Sequence, residues 1–278
     1  MSNLKNKILN KAVYIFAAIF FTSCEKVVTV NLKTEDPRLV IDASINWEKG
    51  TLGNIQTIKL TTTAPYFQNN IPVVSGANIT VSNSTNTVFN FIETINTGNY
   101  VCTNFVPNKN EKYKLKIIYN GETYVAEEKL MVTNALIDVE QANDLGLNND
   151  EIGVKINFKD TINQRNYYLF KVDFAENAFP EYQIVDDQFT DGGIMSWLYS
   201  HKKLGTGKVL NFKHFGITEN YNNYMRLLIG ASAGANNGPF QVTPTKIRGN
   251  IINETNKNNY ALGYFRLGET STLNYTIK

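Results

Sequence analysis

Lys112-Tyr-Lys-Leu-Lys-Ile-Ile-Tyr119, Asn120-Gly121 and Glu122-Thr-Tyr-Val-Ala126 decide the fold class. Tyr113, Leu115, Ile117 and Tyr119 alternate with lysines, the two-residue repeat of a strand with one buried face. Asn-Gly tolerates the positive φ angles of a two-residue hairpin turn, so the chain is predicted to fold back on itself at Asn120-Gly121.

The same period recurs on either side of this hairpin. Leu39, Ile41, Ala43, Ile45 and Trp47 alternate with Asp42, Ser44 and Asn46, and Ile55–Thr63, Ala77–Ser82 and Val88–Ile95 continue the series. Short strands separated by turn residues predict a β-sandwich of immunoglobulin-like size over residues 37–132. Thr133–Asp150, rich in Asn, Asp and Gly, reads as a junction. A second β-rich domain over 133–278 is then expected from Ile152–Phe158, Tyr167–Phe174, Lys208–Phe212, Lys246–Ile252, Tyr260–Phe265 and Leu273–Ile277. One helix interrupts it near 218–229. Thr218 is placed to cap it, and Tyr221, Tyr224, Met225 and Leu228 follow the i, i+3, i+4, i+7 spacing. The expected class is therefore all-β, mainly strand with one or two short helices. The 38 asparagines among 278 residues agree, since asparagine favours turns over helix interiors.

The N-terminus reads as an address. Lys5, Lys7 and Lys11 precede the apolar run Ala12–Phe21 and then Thr22-Ser23-Cys24. The run is the length of a signal-peptide core and short of the ~20 residues a spanning helix needs. Phe21-Thr22-Ser23-Cys24 resembles a bacterial lipobox, with Phe where Leu is usual. The resemblance implies removal of residues 1–23, acylation of Cys24, and a tether over 24–36. Cys102 then has no intramolecular partner, and its strand-like setting Asn99–Phe105 marks it as a small buried side chain.

Composition and motifs narrow the chemistry. Lys plus Arg number 27 against 25 Asp plus Glu, a balance that gives no field for nucleic acid. Gly230-Ala-Ser-Ala-Gly234 matches the string of a hydrolase nucleophile elbow, but His201 and His214 both precede Ser232, whereas that fold needs a later histidine. Leu204-Gly-Thr-Gly-Lys208 lacks the spacing of a phosphate loop. Asp186, Asp187 and Asp191 beside Gly192-Gly193 offer hard oxygen ligands for calcium, yet not at EF-hand spacing, and such clusters ordinarily mark solvated turns. No metal or other cofactor is expected. Trp197 and Tyr199, in Ser196-Trp-Leu-Tyr-Ser-His201, are the aromatic residues expected to stand exposed and meet a ligand such as a sugar ring.

Several short motifs resemble the Bacteroidota outer-membrane lipoprotein family known as domain of unknown function 4249. They are Cys24-Glu25 with Val28 and Val30, Pro37-Arg-Leu-Val-Ile-Asp-Ala-Ser44, Gly98-Asn-Tyr100, Lys112–Ile117, Gly121-Glu-Thr-Tyr124, and Asp187-Gln-Phe189 with Gly192. Toward the C-terminus come Glu219-Asn-Tyr-Asn-Asn-Tyr224, Asn237-Gly-Pro-Phe240, Pro244, Gly249-Asn-Ile251 and Leu262-Gly-Tyr-Phe265. Asn237-Gly-Pro-Phe240 departs from the family's more usual Asn-Pro-Phe. The resemblance implies an envelope lipoprotein working beside a TonB-dependent transporter and supplies no catalytic residues. The expectation is thus a non-enzymatic accessory or ligand-binding lipoprotein, anchored in the outer membrane on its periplasmic or external face. A surface glycan-binding or adhesion module is the alternative.

Overall fold

Strand β1 (Leu39–Glu48) follows its alternation: Leu39, Ile41, Ala43 and Ile45 are buried while Asp42 and Asn46 point outward. The computed structural model describes residues 36–65, 68, 70–145, 151–232 and 246–278. Residues 1–35, with the expected leader, Cys24 and most of the expected tether, lie outside the described residues. After β1 come β2 (Gln56–Thr62), β3 (Asn78–Asn83), β4 (Val88–Glu93), β5 (Asn99–Cys102), β6 (Lys112–Tyr119) and β7 (Glu122–Met131). The hairpin of β6 and β7 turns at Asn120 and Gly121 with φ of 48° and 78°, the left-handed values that Asn-Gly supplies.

The second half holds β8 (Leu136–Leu145), β9 (Glu151–Lys159), β10 (Tyr167–Phe174), β11 (Glu181–Asp186), β12 (Ile194–Ser200) and β13 (Val209–Ile217). Helix α1 (Glu219–Ser232), β14 (Ile252–Asn253) and β15 (Leu262–Thr276) complete it. The chain is all-β with one helix among the described residues, as expected. Thr218 caps that helix, accepting at Oγ1 from the Tyr221 amide at 3.3 Å.

Two expectations are corrected. Residues 37–132 do not form an immunoglobulin-like sandwich; their strands join β15 in a closed hydrogen-bonded circuit, β15-β1-β2-β5-β4-β3-β6-β7, which β7 completes by pairing back to β15. The closing strand lies more than 200 residues beyond β1 and pairs with it in parallel, Val40 opposite Leu262 through Glu48 opposite Thr270. Local turn spacing cannot encode such a pairing. The stretch read as a junction is also largely strand, since β8 occupies Leu136–Leu145 and pairs with β9.

The two-sheet sandwich lies in the second half instead. A sheet ordered β12-β9-β8 faces β11-β10-β13 and the end of β15. Phe158, Phe170, Trp197, Phe212 and Tyr168 fill the space between them. Membership of the cores departs from chain order after Gly249: Ile251, Ala261, Phe265 and Leu267 fill the core of the circuit, whereas Ile277 fills that of the sandwich.

β15 is one strand where its pattern suggested two. Arg266, Glu269, Thr270 and Ser271 break the apolar rhythm, yet all are buried. Burial is tolerable where partners are close. Glu269 meets Lys49 at 2.9 Å and Lys109 at 3.3 Å, and Thr270 Oγ1 donates to Glu48 at 2.6 Å.

Candidate functional site

β15 joins the circuit to the sandwich, so β11, β10, β13, β15 and β1 form one continuous surface. Period-two alternation sends Phe170, Phe212 and Ile41 to the cores and leaves Leu169, Lys171, Lys213, Phe215, Asp42 and Asn46 on the other face. Helix α1 lies over part of that face. Tyr221 and Met225 pack on Leu169, Phe215, Ile217 and Tyr264, burying the helix's apolar stripe. The helix start is tied to the circuit, because Thr218 Oγ1 and Tyr264 Oη both donate to Glu128 Oε2, at 3.0 and 3.2 Å.

Beyond the packed stripe, the helix, the sheet and the loop Asn177–Pro180 enclose a cleft of about 950 Å³. That is within the range of small-molecule sites. Its walls include Tyr224, Leu228, Tyr182 and Phe179, and Arg266 lies at its floor. Arg266 is only 7% exposed. Its Nη2 donates to Asn46 Oδ1 at 2.8 Å, while Nε and Nη1 are buried with no acceptor. Its Cζ sits 4.9 Å from the Phe215 ring centre and 5.4 Å from that of Tyr221. Among the described residues it makes no ion pair.

The magnitudes do not balance. Two aromatic faces offset about 0.5–2 kcal/mol each. Withdrawing a guanidinium from water costs several kcal/mol when no anion compensates. A buried donor pair of this kind is uncommon in a native protein and calls for an explanation.

The neighbouring charges are mixed. Lys171 and Lys213 stand directly opposite each other on β10 and β13, an unfavourable like-charge register. Lys171 is met by Asp173 at 2.8 Å. Asp42 accepts from Ser44 Oγ at 2.8 Å, and Glu181 accepts from Tyr199 Oη at 2.9 Å. The phenols add no negative charge near neutral pH. Burial pushes Tyr182 and Tyr221 up, the latter against the opposing effect of Arg266, and pushes Tyr224 up to about 12.

The residues singled out from sequence are placed elsewhere. Trp197 and Tyr199 are not exposed: they are 3% and 5% accessible, inside the sandwich. Trp197 lies 4.8 Å from Phe170 and 5.6 Å from Phe212 between ring centres, and its indole donates to Gln183. The cause is the period-two face of β12, on which Met195, Trp197 and Tyr199 point inward and Ile194 and Leu198 outward.

The acidic residues are also redistributed. Asp187 and Asp191 come together, but their third neighbour is Asp160 rather than Asp186. Asp186 turns to Arg165 Nη2 at 2.8 Å. Asp187 accepts from Arg165 Nη1 at 3.0 Å and the Asn166 amide at 2.9 Å. Asp160 accepts from the Tyr168 hydroxyl and, at 2.9 Å, from the Gly192 amide. Their oxygens thus hold two loops together.

Ser232 ends α1 and donates to the Ile229 carbonyl at 2.9 Å; Gly234 lies outside the described residues. Cys102 is buried in β5, and burial pushes its thiol up. The signal that sequence reading passed over was Arg266 itself, a lone guanidinium within the otherwise apolar run Tyr264-Phe-Arg-Leu267.

The family model described as "Domain of unknown function (DUF4249)" matches residues 25–274. The chain belongs to the DUF4249 family. Its match takes in the helix and every cleft residue, so the cleft is built from segments within the DUF4249 region. No curated protein matches it. Among solved structures, the chain is similar to a two-domain fibronectin type III segment of chicken tenascin, at 10% identity and TM-score 0.22. That alignment covers 66% of this chain and 91% of the two-domain segment. A DUF4785 family protein from Legionella pneumophila aligns at 13% identity and TM-score 0.26, over 64% of this chain and 52% of its own.

Proposed function

We propose that this DUF4249 protein is a non-enzymatic, lipid-anchored ligand-binding protein of the outer membrane, an accessory to a TonB-dependent transporter. The observation that carries the binding role is the cleft under α1, of ligand size and floored by the uncompensated guanidinium of Arg266. Support for the anchor comes from the basic stretch, apolar run and Cys24 of the N-terminus. Several acyl chains on that cysteine would hold the protein stably, where one binds only marginally. No helix among the described residues is long and apolar enough to cross a membrane.

Fractionation of cells expressing Cys24→Ala tests the anchor: the variant is expected in the soluble fraction, and persistence with membranes contradicts it. Affinity purification of the wild type from native membranes tests the partnership. Recovery of a TonB-dependent transporter supports it; recovery without any outer-membrane transporter overturns it.

Glycan binding or adhesion is the second reading, favoured by the tyrosines lining the cleft rather than by Trp197 and Tyr199. A glycan array with a Tyr224→Ala control distinguishes the two.

A further inference from the structure

We infer that the cleft binds an organic carboxylate, with its charge met by Arg266 and its apolar body lying against Tyr221, Tyr224 and Leu228. This rests on the ligand-binding reading above and adds the chemical class of the ligand.

Three observations lead to it. Arg266 is buried, permanently charged, and has Nε and Nη1 without acceptors. The ligand must therefore bring oxygens that accept and a charge that compensates. The charged residues lining the cleft are Arg266, Lys171 and Lys213 against Asp42 and Glu181, and Asp173 pairs with Lys171, so the surroundings balance and the unmet donors of one guanidinium suit a monoanion better than a phosphate dianion. The opposite wall is helix surface carrying Tyr221, Tyr224, Met225 and Leu228, which suits an apolar or aromatic body. A small inorganic anion would leave that wall unused. Because Nε and Nη1 are closed to water, the carboxylate reaches them with a local shift of the side chains around the guanidinium.

The probe is 3-phenylpropionate, compared with the neutral and nearly isosteric 3-phenylpropionamide. Both are titrated calorimetrically into the full chain held in lipid nanodiscs. The carboxylate is expected to bind about tenfold or more tightly than the amide, as charge-assisted hydrogen bonds imply. Arg266→Met should abolish the preference and Arg266→Lys should retain part of it. Should the methionine variant fail to fold, Leu228→Glu supplies an independent arm. Leu228 is 40% exposed, and a carboxylate there should weaken 3-phenylpropionate about tenfold while changing the amide less. Equal affinities, no binding of the carboxylate, or a preference that survives both Arg266→Met and Leu228→Glu overturns the inference. If it fails while a transporter still co-purifies, only the ligand class falls; loss of both removes the binding reading as well.

Discussion

At the scale of single residues, the chain places costly groups inside and accounts for most of them locally. His214 is fully buried, stacked on Phe170 with ring centres 4.5 Å apart and 3.1 Å from Thr133 Oγ1. Burial holds its imidazole neutral and pulls its pKa down to about 3. The unfolded chain protonates this histidine near pH 6.5, whereas the folded chain refuses the proton until far lower. Its contribution is therefore fully present above 6.5 and is lost as pH falls toward 3, by about 1.4 kcal/mol per pH unit. Urea unfolding from pH 6 to 4 should show His214→Phe losing stability less steeply than the wild type, by about one proton's worth. Equal slopes would contradict the buried neutral state. Neither His214 nor Arg266 could be assigned a setting from sequence, because each lies in a strand whose neighbours reveal alternation but not what stands across the sheet. Trp197 and Tyr199 are the opposite case. Their inward face was legible in Met195-Ser-Trp-Leu-Tyr199, and the aromatic character of the pair drew attention away from it.

At the scale of elements, local pattern and backbone chemistry carry most of the information. β1, β10, the β6–β7 hairpin and α1 all lie where period and turn residues put them, because each is specified by contacts close in sequence. β15 is different, since its two halves pair with different partners and its polar centre is buried by residues far away. Two glycines show the contrast in energy. Gly121 has φ of 78° and open space where a Cβ would project, so Gly121→Ala should cost about 1 kcal/mol from backbone strain alone. Gly263 has φ of 96°, and a Cβ there would lie 2.0 Å from the Ile41 carbonyl oxygen of the paired β1. Gly263→Ala should then cost more than about 3 kcal/mol, as it adds a backbone clash to the strain. Comparison of their urea midpoints checks the order; similar losses would mean that the close approach of β1 and β15 is not a determinant of stability.

At the scale of the whole molecule, one strand serves two cores, and the surface it creates carries the cleft. Fold class was readable from the sequence because alternation is local. The closed circuit was not, since it depends on β15 returning to β1 and β7 across most of the chain. The cleft was unreadable for the same reason: Asn46, Lys171, Lys213, Tyr221 and Arg266 converge only once that strand is in place. The central claim is that this convergence is where ligand binds. Hydrogen–deuterium exchange on the full chain in nanodiscs, with and without saturating 3-phenylpropionate, locates the site directly. Slowed exchange in Glu219–Ser232 and Glu181–Asp186, with Glu151–Lys159 unchanged, is the predicted result; an unchanged helix, or protection centred on β8, β9 and β12, would contradict it.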